Sequence, residues 1–274
     1  EDDIKSDEFM KINSINVVPI VNKEKKIISI DFTNRSKIHK DINMDIPVVI
    51  IAGGKGTRLA PYTNILPKPL IPIGDETITE HIMNNFENFG CTKFNIIVNY
   101  KKNLIKSFFK DNDTQRNIEF YDETEYRGTG GGLKLLLGNI KSTFFMTNCD
   151  ILIDEDYSDM INFHKRNKNI ITIVSAMKNV TIPYGTIDID GKGIIVGMKE
   201  KPTYSFMANT GLYIIEPEFL ELIPERFVHI TEVIQFCIDK GMSVGTYPIS
   251  EYGWMDMGQL EELEKMKRRI DKNM

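Results

Sequence analysis

Five apolar residues, Val48 to Ala52, are followed at once by a segment that contains Gly53, Gly54 and Gly56. A short apolar run of this kind predicts a buried strand, and glycines directly after it predict a loop at the strand's carboxyl end. Because glycine has no Cβ, these residues can adopt a positive φ, and their amides can converge on phosphate oxygens. The segment therefore predicts a strand that presents a backbone loop to an anion.

Two cationic side chains accompany the loop: Arg58 lies in it, and Lys68 lies in the PKPL segment that follows. The spacing excludes two well-known phosphate loops, because the dinucleotide fingerprint requires a glycine at Leu59 and the Walker loop requires one at Val49. The alternative is a tight strand-to-helix turn that needs glycine for steric reasons alone. Arg58, Lys68 and the neighbouring prolines favour a phosphate site.

The composition limits the classes of protein that fit. With 274 residues, 41% of them hydrophobic, the chain is long enough for one large domain or two unequal domains. Its net charge of -5 argues against a nucleic-acid surface, and no apolar run approaches the roughly 20 residues of a membrane span. Cys91, Cys149 and Cys237 lie far apart, which indicates neither a disulfide framework nor a zinc site and fits a reducing cytoplasm.

From Pro47 onward, strand and helix patterns alternate. Strands are predicted at 48–52, 94–99, 118–121 and 143–147, and helices at 77–89, 104–109, after Gly132 and at 157–168. After Ile171 short β segments predominate, and helices at 230–239 and 259–271 flank a strand at 244–249. This pattern predicts a Rossmann-like α/β fold with a mixed, mainly parallel sheet and a β-rich antiparallel insertion, with ligands at the carboxyl ends of the parallel strands.

Residues 1–46 differ from the rest of the chain. They contain two short strand patterns, NVVPIV and IISIDF, and then a polar link. The segment resembles the closing portion of a cystathionine-β-synthase (CBS) domain, and the alternative is a plain β-hairpin attached to the main domain. The predicted boundary separates residues 1–46 from a main domain at residues 47–274.

Two isolated carboxylates are candidate metal ligands. Asp150 follows an apolar strand pattern, and Asp256 lies in a glycine-flanked loop beside Trp254, the single tryptophan. Mg²⁺ prefers oxygen ligands and is usually held by one or two carboxylates plus substrate phosphates. A strand-end aspartate is also a common helix cap, so the spacing leaves both interpretations open.

A second glycine-rich loop, in the segment YRGTGGGLKLL from Tyr126 to Leu136, leads into a predicted helix and offers further amides. Its consecutive glycines could admit the flat face of a base, or they could form a flexible start to the helix. Glu123 stands five residues before Gly128. A carboxylate there can accept hydrogen bonds from two adjacent N–H groups, which guanine offers and uracil does not.

Three polar segments punctuate the β-rich half: PYG at 183–185, KEKP at 199–202 and ANTG at 208–211. Glutamate and asparagine side chains can satisfy several hydroxyl groups of a polyol, and Lys201 can pair with a phosphate. Each segment alone is also typical of a turn.

Together and in this order, these segments resemble the sugar-1-phosphate nucleotidylyltransferases, also called nucleotide-sugar pyrophosphorylases. The resemblance extends from Val48 to the C-terminus and is most specific at AGGKGTRLAPYTNILPKPL, residues 52–70. It implies the nucleotide-diphosphosugar transferase fold. It also implies a Mg²⁺-dependent reaction in which a sugar 1-phosphate attacks the α-phosphorus of a nucleoside triphosphate and pyrophosphate leaves, without a protein nucleophile.

The resemblance assigns roles to particular residues. It implies that Arg58 steadies the departing pyrophosphate, that Lys68 contacts the reacting phosphates, and that Asp150 and Asp256 hold Mg²⁺. It implies nucleotide contacts at Ala52, Gly53, Gly54, Gly56, Thr57, Glu123, Gly128 and Thr129. It implies sugar-phosphate contacts at Tyr184, Gly185, Glu200, Lys201, Asn209, Gly211 and Trp254.

The resemblance leaves several substrates open. Glu123 favours GTP, and the CBS-like segment is similar to that of guanylyltransferases that activate amino sugars or heptoses; mannose is a further candidate. The sequence departs from the guanylyl pattern by GTGGGL in place of GTAGAL and by Cys149 in place of glycine before Asp150. The string TGGGLK is similar to that of cytidylyltransferases, so CTP is the alternative, followed by UTP and dTTP.

Two other classes of protein remain as alternatives. A nucleotide-sugar sensor would bind without catalysis, but it would have no need for Arg58, Lys68 and both aspartates together. A glycosyltransferase would be expected to carry a DxD metal motif, whereas this strand ends in NCDILID. The expected partners are a nucleoside triphosphate and a sugar 1-phosphate, without nucleic acid or membrane, and a homo-oligomer is compatible with the sequence.

Overall fold

A computed structural model describes residues 9–10, 17–21, 25, 27–32, 44–112, 116–258 and 260–271. Contacts divide the chain into two units. The smaller comprises residues 1–36, 175–208 and 248–251, and the larger comprises residues 37–174, 209–247 and 252–274. Within the described residues, no helix combines the length and apolar character needed to cross a bilayer.

The β-strands are β1 (Val17–Val21), β2 (Ile27–Phe32), β3 (Val48–Ala52), β4 (Pro72–Ile73), β5 (Glu76–Thr77), β6 (Lys93–Val98), β7 (Asn117–Asp122), β8 (Phe144–Asn148), β9 (Ile151–Ile153), β10 (Ile171–Thr181), β11 (Thr186–Ile189), β12 (Ile195–Lys199), β13 (Thr203–Ile215), β14 (Val244–Ile249) and β15 (Trp254–Asp256). The α-helices are α1 (Tyr62–Ile65), α2 (Ile78–Glu87), α3 (Lys102–Asn112), α4 (Gly128–Gly131), α5 (Tyr157–Asn167), α6 (Ile230–Asp239) and α7 (Leu260–Asp271).

The main sheet is mixed and mainly parallel, with the strand order β14-β10-β13-β8-β3-β6-β7. Strand β3 pairs in parallel with both β6 and β8, and β6 pairs in parallel with β7. Strand β13 runs antiparallel to β8. Because every residue of β3 is buried, its near-continuous apolar sequence is typical of a strand covered on both faces. The predicted α/β fold is confirmed.

The start of helix α2 is fixed by residues of its own sequence. Thr77 caps α2 by accepting a hydrogen bond from the Glu80 amide, and the Glu80 carboxylate accepts one from the Thr77 amide at 2.7 Å. Ile82, Met83 and Phe86 on one face of this helix are buried. The core beneath the sheet includes Val49 and Ile97, packed with residues of α6 such as Val233. Thr77 and Glu80 thus form a capping box, which fixes the start of α2.

Several predicted boundaries were wrong. The helix expected after Gly132 is one α turn, α4, followed by a 3₁₀ segment at Gly132–Leu136, because consecutive glycines are poor helix formers. The β pieces expected after Ile171 are longer than predicted, since β10 spans 11 residues and β13 spans 13. The short β9–β15 pair was not predicted.

The described part of the N-terminal segment contains the antiparallel pair β1–β2, in which Val17 faces Phe32. Its assignment to a CBS-like remnant, and the boundary at 46, stay predictions. Most of the predicted polar link lies outside the described residues.

Candidate active site

The first glycine loop leaves the carboxyl end of β3. Gly56 has φ +65°, in the left-handed region that favours glycine, and a Cβ there would lie 2.9 Å from Thr63 Cγ2. The Thr63 hydroxyl donates a hydrogen bond to the Gly56 carbonyl at 2.9 Å. By contrast, a Cβ on Gly54 would meet no protein atom within 4 Å. The fold therefore requires glycine at position 56, whereas position 54 faces open space.

A second segment holds this loop from the side. At the end of β6, the Tyr100 amide donates to the Gly53 carbonyl at 3.3 Å. The next residue, Lys101, donates from Nζ to the carbonyls of Asn64 and Ile65 at 2.7 and 2.8 Å. Tyr100 therefore bonds directly to the start of the glycine loop at Gly53. Lys101 is linked to the end of the loop at Gly56 indirectly, because it bonds to α1 and Thr63 of α1 bonds to Gly56.

The two candidate metal ligands converge. Strands β9 and β15 pair antiparallel, with Asp256 opposite Ile151, and the Met257 amide donates to the Asp150 carbonyl at 2.8 Å. This pairing brings Asp256 next to the backbone of Asp150, although the two residues are far apart in sequence. The sequence could not show this convergence, because it depends on a short strand pair without a clear periodic signal.

Lys68 lies between the glycine loop and these carboxylates. Its Nζ forms an ion pair with Asp150 Oδ2, and both side chains are mostly buried. Burial and the neighbouring Asp150 raise the pKa of Asp256, whereas the Gly258 amide, Lys68 and Arg58 act in the opposite direction. Lys68, Asp150, Asp256 and Arg58 therefore form one interacting group of two cations and two carboxylates.

This group fits a divalent cation. Two carboxylates that repel each other gain from a shared cation, and their oxygens are the ligands that Mg²⁺ prefers. Among the described residues no cluster of three or more acidic, histidine or cysteine side chains suits a metal. A metal at this site would therefore need further oxygen ligands, which substrate phosphates can supply.

The glycine loop and three members of the charged group, Arg58, Lys68 and Asp150, line one pocket of about 410 Å³. Much of its wall is glycine backbone and cationic side chains. The residues that line it are Ile51, Gly53, Gly54, Lys55, Gly56, Thr57, Arg58, Leu59, Lys68, Asn99, Tyr126, Thr129, Asn148, Cys149, Asp150 and Gly258. A cavity of this size falls within the range of small-molecule sites.

Glu123 lies beneath the pocket wall and is only 4% exposed. Its Oε1 accepts a hydrogen bond from the Arg127 amide at 3.2 Å, and burial raises the pKa of its carboxyl group. A Cβ on Gly53 would collide with Oε2, and one on Gly132 would lie 2.8 Å from Oε1. Glu123 is thus wedged between the two glycine loops, and its predicted contact with a base stays a prediction.

The second glycine loop packs against protein rather than facing solvent. Gly128 has φ +80°, and a Cβ there would lie 2.6 Å from the Val228 carbonyl. The amides of Gly130 and Gly131 both donate to this same carbonyl, at 3.1 and 3.2 Å. Thr129 lines the pocket and accepts a hydrogen bond from the Ile230 amide at 3.2 Å. Of this loop, therefore, it is Thr129 that faces the pocket.

The predicted sugar-phosphate residues fall in both units. Tyr184, Gly185, Glu200 and Lys201 belong to the smaller unit, where the Glu200 carboxylate lies against Gly185. Asn209, Gly211 and Trp254 belong to the larger unit. There the Asn209 side chain accepts from the Gly211 amide at 3.0 Å. The grouping of these seven residues around one sugar stays a prediction.

Sequence reasoning missed several residues of this pocket. Asn99 follows an apolar strand and Asn148 ends one, but neither carries a charge. Tyr126 begins the second glycine-rich segment but was assigned no role there. Cys149 lines the pocket, and burial raises the pKa of its thiol to about 12, so the thiol is not poised as a nucleophile. Asn99 and Cys149 could have been found from their position at the carboxyl ends of parallel strands.

Comparison with known proteins gave consistent matches. The family model described as nucleotidyl transferase matches residues 47–273. The "Bifunctional protein GlmU" of Methanococcus aeolicus is 32% identical over 82% of this chain and 54% of its own length. The "Mannose-1-phosphate guanyltransferase" of Saccharomyces cerevisiae is 32% identical over 77% of this chain and 61% of its own length. The chain thus spans little more than half the length of these relatives.

Solved structures match as well. HddC from Yersinia pseudotuberculosis superimposes with a TM-score of 0.64 and 26% identity, covering 82% of this chain and 99% of HddC. A second structure of HddC, complexed with GMP-PN, superimposes with a TM-score of 0.65 and 25% identity over the same shares of the two chains.

Proposed function

This chain belongs to the nucleotidyl transferase family, and on that premise we propose that it transfers a nucleoside monophosphate, GMP from GTP by preference, to a hexose-type sugar 1-phosphate. The products are a nucleotide sugar and pyrophosphate. One observation carries the proposal: the ion pair of Lys68 with Asp150 shares a pocket with a glycine loop whose Gly54 faces open space. The β9–β15 pair brings Asp256 next to the backbone of Asp150.

The glycine loop suits a triphosphate. Its amides supply hydrogen-bond donors without side chains in the way, and the adjacent Arg58 and Lys68 supply charge. In the proposed reaction, an oxygen of the sugar phosphate forms a bond to the α-phosphorus, while the bond from that phosphorus to the β-phosphate oxygen breaks. The negative charge then moves to the departing pyrophosphate, and the cationic side chain of Arg58 at the pocket wall supports a role in stabilising it.

Lys68 has a distinct role in this scheme. Its ion pair with Asp150 holds a mostly buried ammonium group at the pocket wall, where a phosphate oxygen can become its acceptor. Asp150 and Asp256 would hold Mg²⁺, which when bound neutralises charge on the reacting phosphates. No side chain in the pocket is needed as a nucleophile, and the raised pKa of Cys149 is in keeping with this.

The preference for GTP has two supports. The yeast relative is named a mannose-1-phosphate guanyltransferase, and HddC has been solved with GMP-PN. In addition, Glu123 places a buried acceptor next to both glycine loops, and guanine offers the paired N–H donors that such an acceptor selects. CTP, UTP and dTTP are the alternative nucleotides.

The proposal is tested by supplying GTP, CTP, UTP and dTTP, each with mannose, glucose, glucosamine and heptose 1-phosphates and Mg²⁺, and measuring pyrophosphate release. Release is expected to be fastest with GTP. If GTP is the poorest nucleotide, the argument from Glu123 is wrong. If no combination releases pyrophosphate but a nucleotide sugar binds, the chain is a sensor and the proposal fails.

A further inference from the structure

Tyr126 is the only aromatic residue among the described residues that line the pocket. It stands three residues after Glu123 and two before Gly128, the two positions predicted to contact a base. Its side chain is 44% exposed, so part of the ring is open to a ligand. Phosphate or metal binding does not explain this ring, because its phenol group is uncharged.

The ring is held in place by neighbouring aromatic groups. Tyr126 contacts Phe227 at 6.0 Å between ring centroids and 65° between planes, and Phe227 contacts His229 at 5.0 Å and 84°. Edge-on contacts of this kind are favourable for aromatic pairs. In an edge-on arrangement Phe227 can cover at most one face of the Tyr126 ring.

Hydrogen bonds also join the backbone segments that carry Tyr126 and Phe227. The Val228 amide donates to the Arg127 carbonyl at 3.0 Å. The amides of Gly130 and Gly131 donate back to the Val228 carbonyl. Residues 126–131 and 226–230 therefore form one packed element, and Tyr126 occupies a defined position on it before any ligand binds.

We infer that Tyr126 is the platform on which the base of the bound nucleotide stacks. The inference rests on the proposed function, since it needs a nucleoside triphosphate in this pocket. A nucleotide combines a charged triphosphate with a flat aromatic base, and the pocket combines a glycine and cation wall with one half-exposed aromatic ring. Every base has a π-face, so stacking strengthens binding of all nucleotides, whereas Glu123 discriminates between them.

The experiment compares nucleotide binding with binding of inorganic triphosphate, which has no base, by titration calorimetry in the presence of Mg²⁺. Tyr126→Ala is expected to weaken GTP and UTP binding by about 5- to 100-fold, the usual range for loss of one base–aromatic stack. Its affinity for triphosphate should stay within about 2-fold of wild type, because the charged wall is unchanged. Tyr126→Phe should bind nucleotides as tightly as wild type, since it keeps the aromatic ring.

Phe236→Ala serves as the matched control. Phe236 is 42% exposed on α6 and does not line the pocket, so its loss should change neither affinity. A thermal melt of each variant checks folding. If Tyr126→Ala fails to fold, Tyr126→Phe tests whether the ring or the hydroxyl group contributes to nucleotide binding. Weakened binding by Tyr126→Phe would mean that the hydroxyl group contributes and would contradict the inference.

Several outcomes would overturn the inference. Equal weakening for nucleotide and triphosphate would mean that Tyr126 only supports the pocket, and unchanged nucleotide affinity would mean that the base lies elsewhere. The proposed function can fail separately. If wild-type protein binds GTP more tightly than Tyr126→Ala but never releases pyrophosphate, base stacking on Tyr126 is supported and the proposed activity is refuted. Wild-type protein that binds no nucleotide would refute both.

Discussion

Asp150 and Lys68 show how single residues set the chemistry of this pocket. Both are mostly buried, and each is the other's charge partner. Removing one member of such a pair leaves the other charge buried without compensation. An informative substitution at this site must therefore keep the hydrogen bond and remove only the charge.

Asp150→Asn meets that condition. The amide oxygen can still accept from Lys68, and Asp256 still offers a carboxylate that interacts with the ammonium group. We therefore expect the variant to fold, with a lowered thermal midpoint because the charge of Lys68 is less well compensated. One anionic ligand is lost, and we expect Mg²⁺-dependent pyrophosphate release to fall by at least about 100-fold, as when one group that stabilises transition-state charge is removed.

The control for Asp150→Asn is Asp239→Asn at the end of α6, where the carboxylate accepts from Gln235 at 2.8 Å in an exposed position. This variant should keep wild-type turnover. Equal turnover in Asp150→Asn and wild type would contradict the metal assignment.

How much of the site could be predicted from sequence differs from residue to residue. Gly56 was predicted because a left-handed backbone has a local signal, and Lys68 because a cation after a glycine loop has few other uses. The partnership of Lys68 with Asp150 could not be predicted, because the two residues are separated by 82 positions. Tyr126 and Lys101 were assigned no role because their positions at the pocket and at α1 depend on packing, which the sequence does not show.

At the scale of secondary-structure elements, the short helix α1 links the end of β6 to the glycine loop. Lys101 donates to carbonyls at the end of α1, and Thr63 within α1 donates to Gly56. Cations are favoured at helix C-termini, where carbonyls lack partners within the helix. We therefore regard Lys101 as a positioning residue that acts through α1 on the first glycine loop.

Lys101→Ala should loosen this link. We expect kcat/KM for the nucleotide to fall by about 10-fold or more, since small displacements of positioning groups are costly, with the larger part of the loss in KM. Lys101→Arg should recover much of it, because a guanidinium can also donate to several carbonyls.

The matched control is Lys102→Ala, whose side chain pairs with Asp122 at 3.3 Å instead of with α1. It should behave as wild type. Should Lys101→Ala alter thermal stability and leave KM unchanged, the role of Lys101 would be structural only.

The same elements show what element-level prediction can achieve. Alternating strands and helices predicted the parallel arrangement of β3, β6, β7 and β8, because buried apolar runs separated by amphipathic helices have few other solutions. The β9–β15 pair that brings Asp256 to Asp150 was beyond prediction. Each strand has three residues, too few for a period to emerge.

At the scale of the whole molecule, the family model matches residues 47–273, and the residues proposed to bind phosphate and metal all lie in the larger unit. The predicted sugar contacts are divided between the two units. The residues proposed to bind the nucleotide and its phosphates can thus be described within one unit, whereas the predicted sugar contacts cannot. This is the physical reason why nucleotidyl transfer is better supported than any particular acceptor.

The central claim is that a sugar phosphate oxygen attacks the α-phosphorus of a nucleoside triphosphate in this pocket. It is tested most directly with GTP and mannose 1-phosphate carrying ¹⁸O at all phosphate oxygens, followed by mass spectrometry of the products. The account predicts a nucleotide sugar that retains all of the label, with one unlabelled pyrophosphate formed per product. Loss of label from the nucleotide sugar, label in the pyrophosphate, or no nucleotide sugar with any of the four triphosphates and the panel of sugar 1-phosphates would contradict it.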